Sequence, residues 1–319
     1  MEGGLEFNKE QLLSFYYHLL RVRMFDEKCF ILRRQGRLGT YPSFRGHEAV
    51  QVGCALALSK DDWIMPYYRG TALAITFGFP LYNAFLYWRG NPLGEKIPDD
   101  LNMTNFYITI SSQCPQAVGL ALAGKLSNKN YWVLTNFGDG GTSEGEFYEG
   151  LNLATIYNVN VIFVCENNGL AISVPSRKDI PLKKEGIGFQ TLNENLAQKF
   201  SGIIDSYRID GTDIIEVYKT IKLIKSKGKP TFVEAIVYRL TPHTTDEDYS
   251  RYLNPEIVKI WNEQFDPLKK FENYLKEKEI LNDEIIEKYK NQINEEMEDA
   301  LNKAQNERIL KIDELKVFY

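Results

Sequence analysis

The sequence predicts an α/β protein, a mostly parallel sheet flanked by helices, with a helical C-terminal region behind it. Three observations carry that expectation. Residues 133–137 (VLTNF) and 161–165 (VIFVC) are short apolar runs rich in β-branched and aromatic residues, each closed by polar residues and glycine, as strands buried on both faces are. Between them, 146–157 sets Phe147, Leu151, Ala154 and Ile156 at roughly helical spacing with acids in the first turn, completing one strand–helix–strand unit. The pattern repeats in 206–211 (SYRIDG), an amphipathic run over 213–225, and 231–240 (TFVEAIVYRL). From Asn254 onward Glu and Lys mix around sparse apolar points, Leu275, Ile280, Ile285, Ile286 and Ile293, which predicts helical packing without chemistry. The expected division is therefore 1–253 for the α/β domain and 254–319 for the helical region.

Ahead of that unit, 8–33 reads as an amphipathic helix, since Leu12, Phe15, Leu19, Val22 and Phe25 recur at three- and four-residue steps behind Asn8 as a cap. A turn-rich break at 36–42 (GRLGTYP) precedes a small-residue helix over 46–58. His47 and Glu48 at its start are expected to be a helix N-terminus with a solvated acid rather than catalytic groups. A strand-like WIM stops at Pro66, and Tyr67, Tyr68, Arg69 and Gly70 open the next helix. A guanidinium and free backbone N–H groups together suit an anion there. Residues 91–104 form a loop, 107–110 a brief strand-like run, and Pro115 falls in the first turn of a helix whose Ala117, Gly119, Ala121 and Ala123 suit close packing.

Composition narrows the function. A net charge of −5 and a pI near 5.5, with no basic stripe before the C-terminal third, argue against nucleic acid. Four widely spaced cysteines without CxxC or CxxxH spacing suggest neither zinc nor a disulfide framework. The acidic N-terminus and the absence of a long apolar run predict a cytoplasmic protein with no membrane span.

The chemistry concentrates in 138–173. GDGGTSEG fits neither the GxGxxG dinucleotide pattern nor the lysine-bearing P-loop, which weighs against an NAD-dependent dehydrogenase. It offers one hard carboxylate oxygen from Asp139, an amide oxygen from Asn168 and nearby carbonyls. Magnesium takes about six oxygens and few carboxylates, completing its shell with phosphates, so one Asp plus one Asn suits a metal already carrying a diphosphate. Gly138, Gly140 and Gly141 would let the backbone approach the phosphate oxygens. Either piece alone would be an ordinary turn; both at the tips of consecutive strands make a site. His243, in TPHTTDEDYSRYL, reaches the same sheet edge if the sheet is parallel throughout.

GDG, then 26 residues, then NN resembles the thiamine diphosphate motif of the transketolase-like superfamily. DDWIMPYYRG, ISSQCPQAVG, GDGGTSEGEFYEGLN, ENNGLAIS and PHTTDEDYSRY resemble, in that order, the alpha subunit of the first component of 2-oxo acid dehydrogenases. PQAVG, NNGLAIS and PHTTDED look closer to the branched-chain (2-oxoisovalerate) type than to pyruvate or acetoin dehydrogenase. The resemblance implies Asp139, Asn168 and the Leu170 carbonyl as Mg2+ ligands, and Tyr68, Arg69 and His243 around the diphosphate. It also implies Gly138, Gly140 and Gly141 lining the diphosphate, Ser112 as a cofactor contact and His243 near the reacting centre. It implies a beta subunit that brings the activating carboxylate in an α2β2 assembly, and a lipoyl acyltransferase that accepts the acyl group from a small 2-oxo acid. Three departures stand out. Ser111-Ser112-Gln113-Cys114 runs straight into Pro115, shortening a loop that in relatives touches the aminopyrimidine and can hold potassium. Glu166 precedes the asparagine pair where some branched-chain relatives have arginine, and Leu253 stands where arginine is frequent. A chain that kept the fold as a non-catalytic subunit or nucleotide-binding module is the competing expectation.

Overall fold

The computed structural model of the chain describes residues 6–176, 180, 189–191 and 194–308. Much of the polar stretch 175–195 and the end of the C-terminal region lie outside the described residues. Helix α1 (Lys9–Arg34) begins where Asn8 predicts: its side chain accepts Gln11 N–H at 2.8 Å while the Gln11 side chain accepts Asn8 N–H at 3.1 Å, a closed capping box. After α2 (Glu48–Ala57), strand β1 (Trp63–Met65) ends at Pro66, and α3 (Thr71–Phe77) and α4 (Leu81–Trp88) follow. Next come α5 (Gln113–Leu126), β2 (Val133–Gly138), α6 (Gly145–Tyr157) and β3 (Val161–Asn167), then a small antiparallel pair, β4 (Leu170–Ala171) and β5 (Val174–Pro175). Helix α7 (Leu196–Phe200), β6 (Asp205–Asp210), α8 (Ile214–Lys227) and β7 (Thr231–Ile236) lead into three closing helices, α9 (Pro255–Gln264), α10 (Pro267–Glu277) and α11 (Asp283–Asn306).

The large sheet has the order β1-β2-β3-β7-β6, and every pair in it is parallel. Alternation along β3 shows why its sequence is apolar without a break. Ile162 and Val164 enter a core shared with α1, α2 and α8, whereas Val161, Phe163 and Cys165 enter a second core with α5 and α6. Ala117 and Ala121 turn α5 toward the sheet; Gly119 and Ala123 face outward. Phe271, Leu275, Ile286, Ile293, Met297 and Leu301 of the closing helices share the α1 core, so the change of composition at 253/254 is not a break in packing. Among the described residues no helix is long and apolar enough to cross a membrane.

Two expectations change. Residues 107–110 are not a strand: Tyr107 makes one isolated bridge to Tyr67, because β1 is only three residues long and Pro66 ends the ladder. Glu48 is not solvated. It is fully buried, with Oε1 2.6 Å from Arg23 Nε and Oε2 accepting Gly46 N–H at 2.7 Å, while Arg23 also forks onto Asp266 of the helical region at 2.9 and 3.0 Å. The arginine neutralises two acids that burial would otherwise make costly.

Candidate cofactor site

A parallel sheet puts the ends of β1, β2, β3 and β7 on one edge, and each is followed by residues singled out in the sequence. Tyr68, Arg69, Gly138, Asp139, Gly140, Gly141, Asn168, Leu170 and His243 all border one cavity of about 590 Å³ there. The Asp139 turn and the Leu170–Ala171 strand are in contact, since a Cβ on Gly140 would sit 3.3 Å from Ala171 Cβ. Ser176 on the following turn donates to Asp139 Oδ2 at 2.5 Å and its own N–H reaches Gly169 O at 2.9 Å, tying the two loops together.

Ser112 does not join this group. Ser111 takes a positive φ of 66°, which turns its buried hydroxyl onto Gly141 O at 2.9 Å and sends Ser112 away, donating to Thr109 O at 2.8 Å at the start of α5. The serine that meets the glycine turn is therefore Ser111.

The Arg69 end of the cavity is cationic and buried. Arg69 is 2% exposed, and its guanidinium donates to backbone oxygens: Ser43 O, and His243 O at 3.1 Å from both terminal nitrogens. Its Nη2 also lies 3.0 Å from His243 Nδ1, with Arg239 Nη1 3.4 Å from the same atom. Arginine only donates, so Nδ1 accepts and the imidazole proton sits on Nε2. Burial, then Arg69 and Arg239, push the His243 pKa down to about 3. The loop is held by His243 N–H on Glu247 Oε2 and by Tyr252, which receives Arg239 Nη2 and donates to Glu247 Oε1 at 3.0 Å. Leu253 packs with Leu240 and Trp261, so an apolar contact anchors the end of this segment.

A stability consequence follows from linkage. An unfolded histidine takes up its proton near 6.5 and this one near 3, so between those values the unfolded chain binds more protons and stability falls as pH drops. Urea unfolding of the chain should show stability decreasing from pH 7.5 to 5, and His243→Asn should remove roughly 1–2 kcal/mol of that decrease. An unchanged slope in the variant would refute the buried neutral imidazole.

The donor set fits a hard dication with a diphosphate. Asp139 is 1% and Asn168 5% exposed, and with the Leu170 carbonyl they offer only oxygen. Among the described residues no three His, Cys, Asp or Glu side chains converge as a metal site. A magnesium ion here would thus rely on one carboxylate, an amide, a carbonyl and the phosphate oxygens.

Several residues behind the cavity carried no motif of their own. Glu166, fully buried on β3, accepts from Asn136 Nδ2 at 2.6 Å, Tyr67 OH at 2.8 Å and Gln51 Nε2 at 2.9 Å, and lies 2.7 Å from His47 Nδ1. Glu234 on β7, also fully buried, accepts Asn167 Nδ2 at 2.7 Å and so braces the asparagine pair from the other side. Gln190 donates to Asp139 O at 3.2 Å. The sequence had marked Glu166 only as a departure beside the asparagines, and nothing in it pointed to Glu234 or Gln190.

A family model described as Dehydrogenase E1 component matches residues 17–313. The chain belongs to that family. The alpha subunit of the pyruvate dehydrogenase E1 component from Bacillus subtilis (strain 168) is 37% identical over 319 residues, covering 97% of this chain and 82% of the relative. The corresponding subunit from Staphylococcus aureus (strain Mu50) is 37% identical over 303 residues, at 92% and 79% coverage, and that from Staphylococcus epidermidis 36% over 304 residues with the same coverage. Fold and family agree on an enzyme component of the 2-oxo acid dehydrogenase class. The E1-type relatives carry pyruvate in their names, where PQAVG, NNGLAIS and PHTTDED had suggested a branched-chain acid.

Proposed function

We propose that the chain is the alpha subunit of a thiamine diphosphate-dependent 2-oxo acid dehydrogenase, holding the cofactor's diphosphate and its Mg2+ and acting with a beta subunit. The observation that carries this reading is the single cavity bordered by Asp139, Asn168 and Leu170 on one side and Arg69 and His243 on the other. Asp139 Oδ, Asn168 Oδ1 and Leu170 O would hold the metal, and Arg69 and the Nε2–H of His243 would meet the terminal phosphate. Asp139 and Arg69 are buried, which strengthens charge on charge and leaves water little access. The bound cofactor supplies the electron sink that lets carbon dioxide leave a 2-oxo acid. This chain's residues anchor and orient it and keep a neutral donor at His243.

Ile108 and Ile172, 63% and 54% exposed on the cavity's rim, support a second chain covering the mouth. That chain would bring the activating carboxylate, and a lipoyl acyltransferase would take the acyl group. For the substrate, the names of the relatives favour pyruvate over the branched-chain acid that PQAVG, NNGLAIS and PHTTDED suggested.

The test is to assemble the chain with a beta-type subunit and measure thiamine diphosphate binding with and without Mg2+ by calorimetry, then kcat/KM on pyruvate and 2-oxoisovalerate. Binding should require Mg2+, and pyruvate should be preferred by at least about tenfold, the discrimination a pocket makes on a methylene or two. Magnesium-independent or absent binding would defeat the cofactor reading, and a preference for 2-oxoisovalerate would reverse the substrate assignment alone.

A further inference from the structure

An amide side chain presents oxygen or nitrogen to a cation according to how it is turned, and the turn of Asn168 is set by two neighbours. Its Oδ1 accepts Leu170 N–H at 3.0 Å, and its Nδ2 lies 3.4 Å from His47 Nε2. The role of His47 follows from its other nitrogen. Nδ1 is 2.7 Å from Glu166 Oε2, an oxygen that already receives Tyr67 OH and Gln51 Nε2, while Oε1 receives Asn136 Nδ2. With donors on every side, Glu166 accepts from the imidazole as well, so Nδ1 carries the proton and Nε2 keeps its lone pair. That lone pair takes a hydrogen from Asn168 Nδ2. A flipped amide would set its oxygen against the imidazole lone pair and its N–H against Leu170 N–H.

Among the described residues, His47 holds the nitrogen side of this amide, as Leu170 N–H holds the oxygen side. His47 and Glu166 are both fully buried, so bulk water cannot substitute. The backbone of His47 is fixed too, its N–H donating to Phe44 O at 2.8 Å, directly before α2 begins at Glu48. We infer that His47, held in one tautomer by Glu166, is a positioning residue that turns the Asn168 oxygen toward the metal. This rests on Asn168 being a metal ligand, as proposed above. Partners that orient ligands in this way are worth about 10–100-fold in metal affinity.

Two substitutions separate the ring nitrogens. In His47→Asn the amide reaches only as far as Nδ1 and serves Glu166, whereas in His47→Gln it extends to the place of Nε2 and serves Asn168. The measurement is the Mg2+ concentration giving half-maximal thiamine diphosphate binding to the assembled complex, by calorimetry without substrate. The expected result is a requirement at least about tenfold higher for His47→Asn and within about threefold of wild type for His47→Gln. Asn168→Asp has oxygen on both sides and needs no orienting, so adding His47→Asn to that background should raise its requirement no further. A His47→Asn protein needing no more Mg2+ than wild type, a His47→Gln protein that is the more impaired, or an equal effect of His47→Asn in both backgrounds would overturn the inference. In each of these cases a wild-type requirement for Mg2+ leaves the proposed function standing; wild type without that requirement overturns both.

Discussion

Asp139→Ala should abolish Mg2+-dependent binding of thiamine diphosphate by the assembled enzyme and lower its turnover by on the order of a thousandfold, equivalent to about 4 kcal/mol. In the proposed metal site Asp139 is the carboxylate that accompanies Asn168 and Leu170, so its removal would leave that oxygen set without a charge. The loss should be one of binding rather than folding. The side chain is small, and without its bond to Ser176 the turn still has Gln190 Nε2 on Asp139 O and the contact of Gly140 with Ala171, so circular dichroism should stay that of wild type. Calorimetry and steady-state rates at rising Mg2+ are the check. A variant that keeps its Mg2+ dependence would remove Asp139 from the metal site.

Gly46→Ala should destabilise the chain by roughly 3–5 kcal/mol, a large share of the 5–15 kcal/mol typical of a folded protein. Gly46 has φ of +97°, and a Cβ there would lie 1.9 Å from Tyr238 O and 2.9 Å from Leu240 Cγ. The obstacle at the shorter distance is backbone, which cannot rotate away. Relief would have to move either the start of α2 with His47 or the segment from Tyr238 toward His243, so any folded fraction should also bind the cofactor less well. Urea midpoints and the soluble yield of the variant measure the first effect, and calorimetry the second. An alanine variant of wild-type stability would show that the two segments are not in this contact.

Much of the site was legible because its parts are local. Asp139 and Asn168 stand at the tips of two consecutive strands, and once both runs are read as parallel the geometry follows from the unit itself. The residues of the α1 stripe, Leu12 to Phe25, were legible for a similar reason, since helical spacing states which face is buried. His47 and Glu48 were not legible. A histidine and an acid at a helix start satisfy the rules for a solvated N-terminus, and only long-range packing against Glu166 and Arg23 makes them interior groups. The two serines at 111–112 were indistinguishable in sequence, and a positive φ at the first decided which one faces Gly141.

The sequence by itself determined the α/β class, the order of strands and helices around 133–165 and 206–240, and the pairing of a glycine-flanked acid with an asparagine turn. Periodicity and turn chemistry encode those within a few residues of one another. Tertiary structure alone decided that β7 lies between β3 and β6, which brings His243 to the cavity. It also decided that Glu166 gathers His47, Gln51, Tyr67 and Asn136 behind the asparagines. Those contacts join residues 30 to 119 positions apart, and what selects them is the need of a buried carboxylate for donors, whichever part of the chain supplies them.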